Sequence, residues 1–274
     1  MTPTGYQPQS IDTSIEADQL LFTLLRQRSN ADRLLMAIAQ HEGFRALFLA
    51  GLRKRFNQLT PKIVATAFLK ADYPDAFTPF GNEMTWIQDS IGLALQLHEV
   101  FEALEIPYYV TGGVAAINYG EYRTTTDVDI VLSVSADDIR QLATDLAQIG
   151  FYVPGVEDAV SGRMRTLQIT HMETIARADL VVAGDEAFDI AKFQRRQVTK
   201  IPGRGSLYFA SPEDVVLNKL RWRQRGQSEK QWRDVLGVLK VQSTALDINY
   251  LQEWAERLGL STDLATAMQQ AGLS

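Results

Sequence analysis

From Tyr108 to Val134 the chain reads YYVTGGVAAINYGEYRTTTDVDIVLSV, and no other stretch restricts the fold as much. An apolar, strand-like run ends in two adjacent glycines. A short helical pattern follows, and a second strand-like run opens on Asp127 and Asp129. Side chains at i and i+2 of a strand leave the same face, so these two carboxylates project together. Neighbouring carboxylates repel unless a proton or a cation separates them. They also open the run IVLSV, which has the character of a buried strand, where an unpartnered acid is costly. The pair asks for a partner.

The surrounding chain supplies a frame for this stretch. Residues 14–70 repeat apolar side chains at three- and four-residue spacing and are expected to form a helical N-terminal unit, with Asn30 as a cap before the stripe in NADRLLMAIAQ. Prolines and a glycine break the periodicity in KADYPDAFTPFGNEM, so residues 71–84 read as a linker. A helix is expected from about Thr85 to Glu105. Short strand-like runs come next: PYYVTGG, TDVDIVLSV, FYVP, RTLQITHM, RADLVVAG, QVTKIP and SLYFA. Between them lies the amphipathic SADDIRQLATDLAQIG, with Ser135 as its cap. Residues 85–210 thus read as a small mixed β-sheet core carrying helices, and 211–274 as a helical C-terminal region; the fold class is α+β. The C-terminal region opens on SPEDVVLNKLRWRQRG. Ser211 stands as N-cap, Pro212 at the first helical position, Glu213 and Asp214 in the first turn, and Gly226 at the end.

Composition removes several classes of chemistry. The 274 residues include no cysteine, which excludes disulfides, a thiolate nucleophile and cysteine-ligated zinc or iron–sulfur clusters. No apolar run reaches the ~18 residues of a membrane span. The start, MTPTGYQPQSIDTSIEADQ, has neither the basic nor the apolar region of a secretory signal, so a cytoplasmic location is expected. A Walker motif, a GxSxG elbow and HExxH are all absent, which sets aside the common NTPase, hydrolase and zinc-protease chemistries. The net charge of −6 argues against broad attraction to nucleic acid. Yet Glu186 to Arg233 holds eleven Lys and Arg against five Asp and Glu, a local +6 that leaves −12 for the rest. Such a segment reads as a local phosphate-facing surface.

Gly112 and Gly113 fall where a strand turns into a helix. Backbone amides there can approach a ligand closely, and a helix start offers unpaired N–H groups and partial positive charge. Taken alone, a Gly-Gly pair marks a tight turn more often than a phosphate cradle. Asp127 and Asp129 are hard oxygen donors of the kind Mg²⁺ takes together with phosphates and water. Asp179 heads another apolar run, RADLVVAG, and an adjacent strand would bring it beside them. Arg123 is a candidate either to face phosphate or to pair with Asp127. His171 is a candidate base near Asp179 or a surface histidine. Trp222 and Trp232 read mainly as packing between C-terminal helices, with base stacking as the alternative.

Strand, Gly-Gly, short helix, Arg123, threonines, Asp127-x-Asp129, strand and a third strand-borne acid together resemble the nucleotidyltransferase fold of the DNA polymerase β superfamily. The resemblance is to its small bacterial branch, which includes minimal nucleotidyltransferases and AbiEii-type abortive-infection toxins. The downstream SPEDVVLNKLRWRQRGQSEKQWRDVLGVL resembles the C-terminal signature of that branch. The resemblance implies that Gly112 and Gly113 hold a triphosphate and that Asp127, Asp129 and Asp179 bind metal, with Asp179 alternatively deprotonating the acceptor. It further implies that Lys219 contacts nucleotide phosphate, supported by Asp234 from the next helix. Many members carry Gly-Ser where this chain has Gly-Gly, so one phosphate-gripping hydroxyl is missing here. The implied cofactor is Mg²⁺, as two ions, or Mn²⁺. The implied partners are an NTP, tRNA or another RNA, protein or small-molecule acceptor, and a cognate protein chain.

Three functions follow as alternatives. The first is a metal-dependent transfer of NMP from an NTP to a hydroxyl, in a toxin-type or stress-response enzyme. The second is a non-catalytic nucleotide-binding or antitoxin-like module of the same fold. The third is a helical scaffold that binds another protein through residues 14–68.

Overall fold

The computed structural model of the chain describes residues 4–56, 58, 89–125, 127–172, 176–226 and 228–273. The expected linker at 71–84, the end of the N-terminal helical pattern and the expected helix start at Thr85 lie outside them.

Helix α1 (Ile15–Arg26) is capped by Ser14, whose hydroxyl accepts the Ala17 N–H at 3.2 Å. Helix α2 (Asn30–Arg55) starts one residue earlier than expected. Ser29, not Asn30, is its cap, because Ser29 and Asp32 satisfy each other's backbone N–H groups in a capping box. Asn30 instead accepts a hydrogen bond from Arg33. The buried Arg33 also donates to the carbonyls of Leu25, Arg28 and Asn118, closing the α1–α2 turn onto the middle of the chain. Leu34, Ala37 and Ile38 of α2 join the same hydrophobic cluster as the sheet.

Helix α3 (Ser90–Ala103), capped by Asp89, leads into a seven-stranded mixed sheet. Its strands are β1 (Tyr108–Thr111), β2 (Asp127–Leu132), β3 (Phe151–Tyr152), β4 (Thr166–His171), β5 (Arg177–Val182), β6 (Gln197–Ile201) and β7 (Gly205–Phe209), in the order β3-β4-β5-β2-β1-β7-β6. β2 runs parallel to β5 and β1 parallel to β7; the other neighbours are antiparallel. The connecting helices are α4 (Gly112–Tyr119), α5 (Ala136–Gln148), α6 (Val156–Val160) and α7 (Ala187–Gln194). The mixture of sheet and helix is the α+β class expected from the sequence.

Alternation along β1 defines the two faces. Tyr108 meets Phe101 of α3 and Tyr208 of β7, with ring centroids 5.0 and 5.5 Å apart. Tyr109, on the opposite face, meets Phe193 of α7 at 4.8 Å. Val128, Ile130, Leu132, Ala178 and Leu180 are fully buried on the Tyr108 face. Burial of this kind contributes roughly 1.5–3 kcal/mol for each large aliphatic side chain, and it pins the register. Asp127, Asp129 and Asp179 are offset by one residue, so the same packing sends all three to the Tyr109 face.

The C-terminal helices are α8 (Pro212–Gly226), α9 (Glu229–Gln242), α10 (Ile248–Leu258) and α11 (Ser261–Ala271), with a 3₁₀ turn at Ser243–Ala245. The Ser211 hydroxyl accepts the Asp214 N–H at 3.2 Å, as a cap should. The two first-turn acids do more than complement the helix dipole, because both are buried. Arg195 donates to Glu213 at 2.9 Å and Tyr250 to Asp214 at 2.8 Å, fastening α8 to the end of α7 and to α10. A buried Asp18–Lys240 pair joins α1 to α9. Among the described residues no helix is long and apolar enough to cross a membrane.

Candidate active site

β1 ends at Thr111, opposite Asp129 of β2, and Asp129 lies in parallel register with Asp179 of β5. Two carboxylates from adjacent strands therefore sit side by side where α4 begins, with Asp127 two residues away on the same face and exposed to solvent. On the far side of β5, Gln168 of β4 pairs with Asp179, and its Nε2 donates to the Asp179 carboxylate at 3.1 Å.

The glycines explain how Asp129 comes so close. Gly112 has φ +62°, a conformation that costs other residues energy, and a Cβ there would lie 1.8 Å from an Asp129 carboxylate oxygen. A Cβ on Gly113 would lie 2.6 Å from the Thr125 hydroxyl. Asp129 accepts the Gly113 backbone N–H, at the positive end of α4. The Gly-Gly pair thus admits a carboxylate of the chain itself. Gly112→Ala is expected to cost about 1–3 kcal/mol in urea unfolding, since it combines backbone strain with displacement of Asp129. Gly113→Ala, which meets the Thr125 side chain without the added strain of a positive φ, should cost less; equal costs would show that the Asp129 contact does not matter.

The acids carry excess negative charge. Burial pushes the Asp129 carboxyl above the ordinary range, and the neighbouring charge of Asp179 adds to this. The Lys219 charge and the Gly113 N–H oppose the shift, and Asp127 contributes further to it. Three hard carboxylate donors with unbalanced charge fit a divalent cation such as Mg²⁺ or Mn²⁺. Among the described residues, however, no trio of His, Asp or Glu side chains already encloses an ion position. Asp129 is turned onto Gly113 and Asp179 onto Gln168.

The two expected phosphate-binding cations share one partner. Arg123 donates through Nε and Nη2 to Asp234 of α9 at 2.9 and 2.8 Å, and Lys219 of α8 reaches the same carboxylate at 2.6 Å. Arg123 therefore pairs with Asp234 and not with Asp127. Only 7% of the Lys219 side chain and 5% of the Asp234 side chain are exposed. Burial works against the Asp234 charge, but the Arg123 hydrogen bonds and the charges of Lys219 and Arg123 overcome it and hold the carboxyl below its usual range. A carboxyl depressed in the folded state contributes stability above its unfolded pKa and loses it as pH falls through its folded value. Asp234→Asn is therefore expected to cost about 3–5 kcal/mol at neutral pH, because the buried Lys219 and the half-buried Arg123 lose their counter-charge. Its deficit relative to wild type should shrink below about pH 4. Urea unfolding at several pH values measures this, and a pH-independent deficit would rule it out.

Other expectations change. His171 is an odd number of residues from Gln168, which puts it on the face away from Asp179, with its ring edge-on to Phe151 at 4.9 Å. Trp222 does not pack the C-terminal helices together, being 62% exposed. Trp232 does, donating from Nε1 to Gln270 of α11 at 2.9 Å beneath the Arg223 guanidinium. Gln168 had no sequence signal as a site residue, because its role depends on strand register; Thr125 belongs to the threonine run of the motif, but its place against Gly113 depends on a loop returning to the glycines. Thr126 lies outside the described residues.

Comparison with known proteins returns no match to any protein-family model and none among curated proteins. Among solved structures the chain is similar to an antigenic nucleotidyltransferase-like protein from Paracoccidioides brasiliensis, at 19% identity over 65% of this chain and 91% of that one, with a TM-score of 0.43. It is also similar to ANT(2")-Ia in complex with adenylyl-2"-tobramycin, at 14% identity over 62% and 95% of the two chains, TM-score 0.43. A third likeness is to a CCA-adding enzyme in complex with ATP, at 15% identity over 67% of this chain and 52% of that one, TM-score 0.31. At these levels of similarity the functional reading rests on the site itself.

Proposed function

We propose that the chain is a divalent-metal-dependent nucleotidyltransferase, which moves a nucleoside monophosphate from an NTP to an acceptor hydroxyl and releases pyrophosphate. The observation that carries this is the parallel register of Asp129 and Asp179 at the start of α4, with excess negative charge between them. Asp127, Asp129 and Asp179 would hold Mg²⁺ or Mn²⁺, which when bound offsets charge on the phosphates and on the departing oxygen. Gly113 offers its N–H and the positive end of α4 to a phosphate oxygen once Asp129 turns away. Arg123 and Lys219, held at fixed positions by Asp234, have further N–H donors to direct at the remaining phosphates. Asp179 takes the acceptor's hydroxyl proton as that oxygen bonds to the α-phosphorus and the bond to pyrophosphate breaks. Positioning and charge stabilisation supply most of the acceleration.

Incubation with each labelled NTP, Mg²⁺ and either total RNA or total protein tests this. Pyrophosphate release together with label in one fraction is the expected result, abolished in Asp129→Asn. The sequence resemblance extends the reading to a toxin-type role, in which expression of the wild type but not of Asp129→Asn arrests growth. A second reading, a non-catalytic nucleotide-binding module, is favoured by one observation: no ion position is yet enclosed by the acids. NTP binding with no pyrophosphate from any acceptor would establish that reading in place of the first.

A further inference from the structure

Trp222 is the most exposed of the described tryptophans, at 62%. An indole left in water forgoes the gain of burial, so its exposure asks what covers it. The Arg225 guanidinium lies over its ring at 5.2 Å, and the side chain nonetheless stays 62% exposed. The charge around it is also unbalanced. Of the eleven basic residues between Glu186 and Arg233, six pair with carboxylates: Lys192, Arg195, Arg204, Lys219, Arg223 and Arg233. Arg221 and Arg225, which flank Trp222, have no carboxylate partner among the described residues. The rest of the chain carries a net −12, so a polyanion is drawn to this segment more than to the remainder as a whole.

Position links this patch to the acids. Trp222 follows Lys219 by three residues, which on a helix means about 60° of rotation and ~4.5 Å of rise. Arg225 repeats the step. Lys219, Trp222 and Arg225 therefore descend one flank of α8, starting at the cation whose charge reaches Asp129.

We infer that Trp222, with Arg221 and Arg225, is a stacking platform for an unpaired base of a single-stranded polynucleotide. As the source of the acceptor hydroxyl, that strand rests on the transferase reading above; as a ligand, it does not. Every base presents a π-face to an exposed indole, and the two unpaired guanidiniums meet the phosphates on either side. A duplex hides its base faces and would gain only the phosphate contacts.

The test is binding of a fluorescein-labelled short single-stranded RNA, followed by anisotropy and by quenching of tryptophan fluorescence, without NTP. Wild type is expected to bind and to weaken with salt. Trp222→Ala should lose roughly 5- to 150-fold in affinity, and Trp222→Phe should keep most of it. Arg221→Ala and Arg225→Ala should each flatten the salt dependence by about one phosphate contact. Equal binding of single-stranded DNA also supports the platform, since stacking does not consult the 2′-hydroxyl. Because Trp222 is on the surface, an unchanged thermal midpoint verifies that the variants are folded. Undiminished binding by Trp222→Ala, duplex RNA bound as tightly as single strands, or quenching by mononucleotide alone would each overturn the inference. Asp129→Asn should bind the oligonucleotide normally while failing at transfer, which separates failure of the platform from failure of the transferase reading.

Discussion

Asp129→Asn should reduce the proposed nucleotidyl transfer by ~10²–10³-fold or more, and yet leave the protein at least as stable as the wild type. The two effects share one cause. Asp129 is held partly out of water beside Asp179, and its carboxyl is raised by that burial first and by the neighbouring charge second. A raised carboxyl means that the folded state binds a proton more readily than the unfolded one. The stability this gives is present below the unfolded pKa and is lost as pH rises through the folded value. At neutral pH without a cation the charge is therefore a cost. Asparagine removes it, while its amide oxygen still accepts the Gly113 N–H. Added Mg²⁺ or Mn²⁺ should raise the thermal midpoint of the wild type by mass action and leave that of the variant unmoved. An Asp129→Asn protein that melts below the wild type in metal-free buffer, or that still responds to the cation, would contradict this account of the acids.

Lys240→Met is expected to be the most damaging single change to stability outside the site. Lys240 and Asp18 are each only 1% exposed and lie 2.7 Å apart. The ammonium group sits over the rings of Tyr6 and Phe22 at 4.3 and 4.9 Å and also donates to the Gln7 carbonyl. The Tyr6 hydroxyl and the Gln9 N–H complete the shell of Asp18. Methionine fills the space but strands a buried carboxylate, a change that costs about 3–5 kcal/mol. Whole domains are stable by only about 5–15 kcal/mol, so the urea midpoint should fall sharply. Asp18→Leu combined with Lys240→Met should recover much of the loss, because no charge is then left behind. If the double variant is no better than the single, the pair contributes through packing and not through charge.

Much of this site is legible in one dimension. Asp127 and Asp129 share a face because strand alternation has a period of two, whatever the rest of the chain does. Asp179 is recognisable as a strand-opening acid before an apolar run. The helix at Pro212 follows from its cap, its proline and its terminal glycine, all local chemistry. Other features are invisible until the chain closes on itself. Glu213 and Asp214 look like ordinary first-turn acids, and their burial against Arg195 and Tyr250 depends on helices far along the sequence. The surplus of basic residues between Glu186 and Arg233 looks like one charged surface. Six of its eleven cations are held in ion pairs, so only five have no carboxylate partner among the described residues. Asn30 and Ser29 both suit a cap, and the choice was made by which one could form the box with Asp32.

The sequence by itself determined the order of the seven strands, the glycine turn and the C-terminal helices, whereas α6 and α7 carry no periodicity legible in it. It also determined which residues are acids on the pleated face, since each of these follows from short-range sterics and side-chain period. Only the tertiary structure decided that Asp179 stands beside Asp129, that Gly112 is bare to admit a carboxylate, and that Arg123 and Lys219 meet at Asp234. It also left Trp222 in solvent while packing Trp232 half-buried against α11. The reason is that register, close approach and charge pairing are set by which distant surfaces bury each other, and that burial is a property of the whole core.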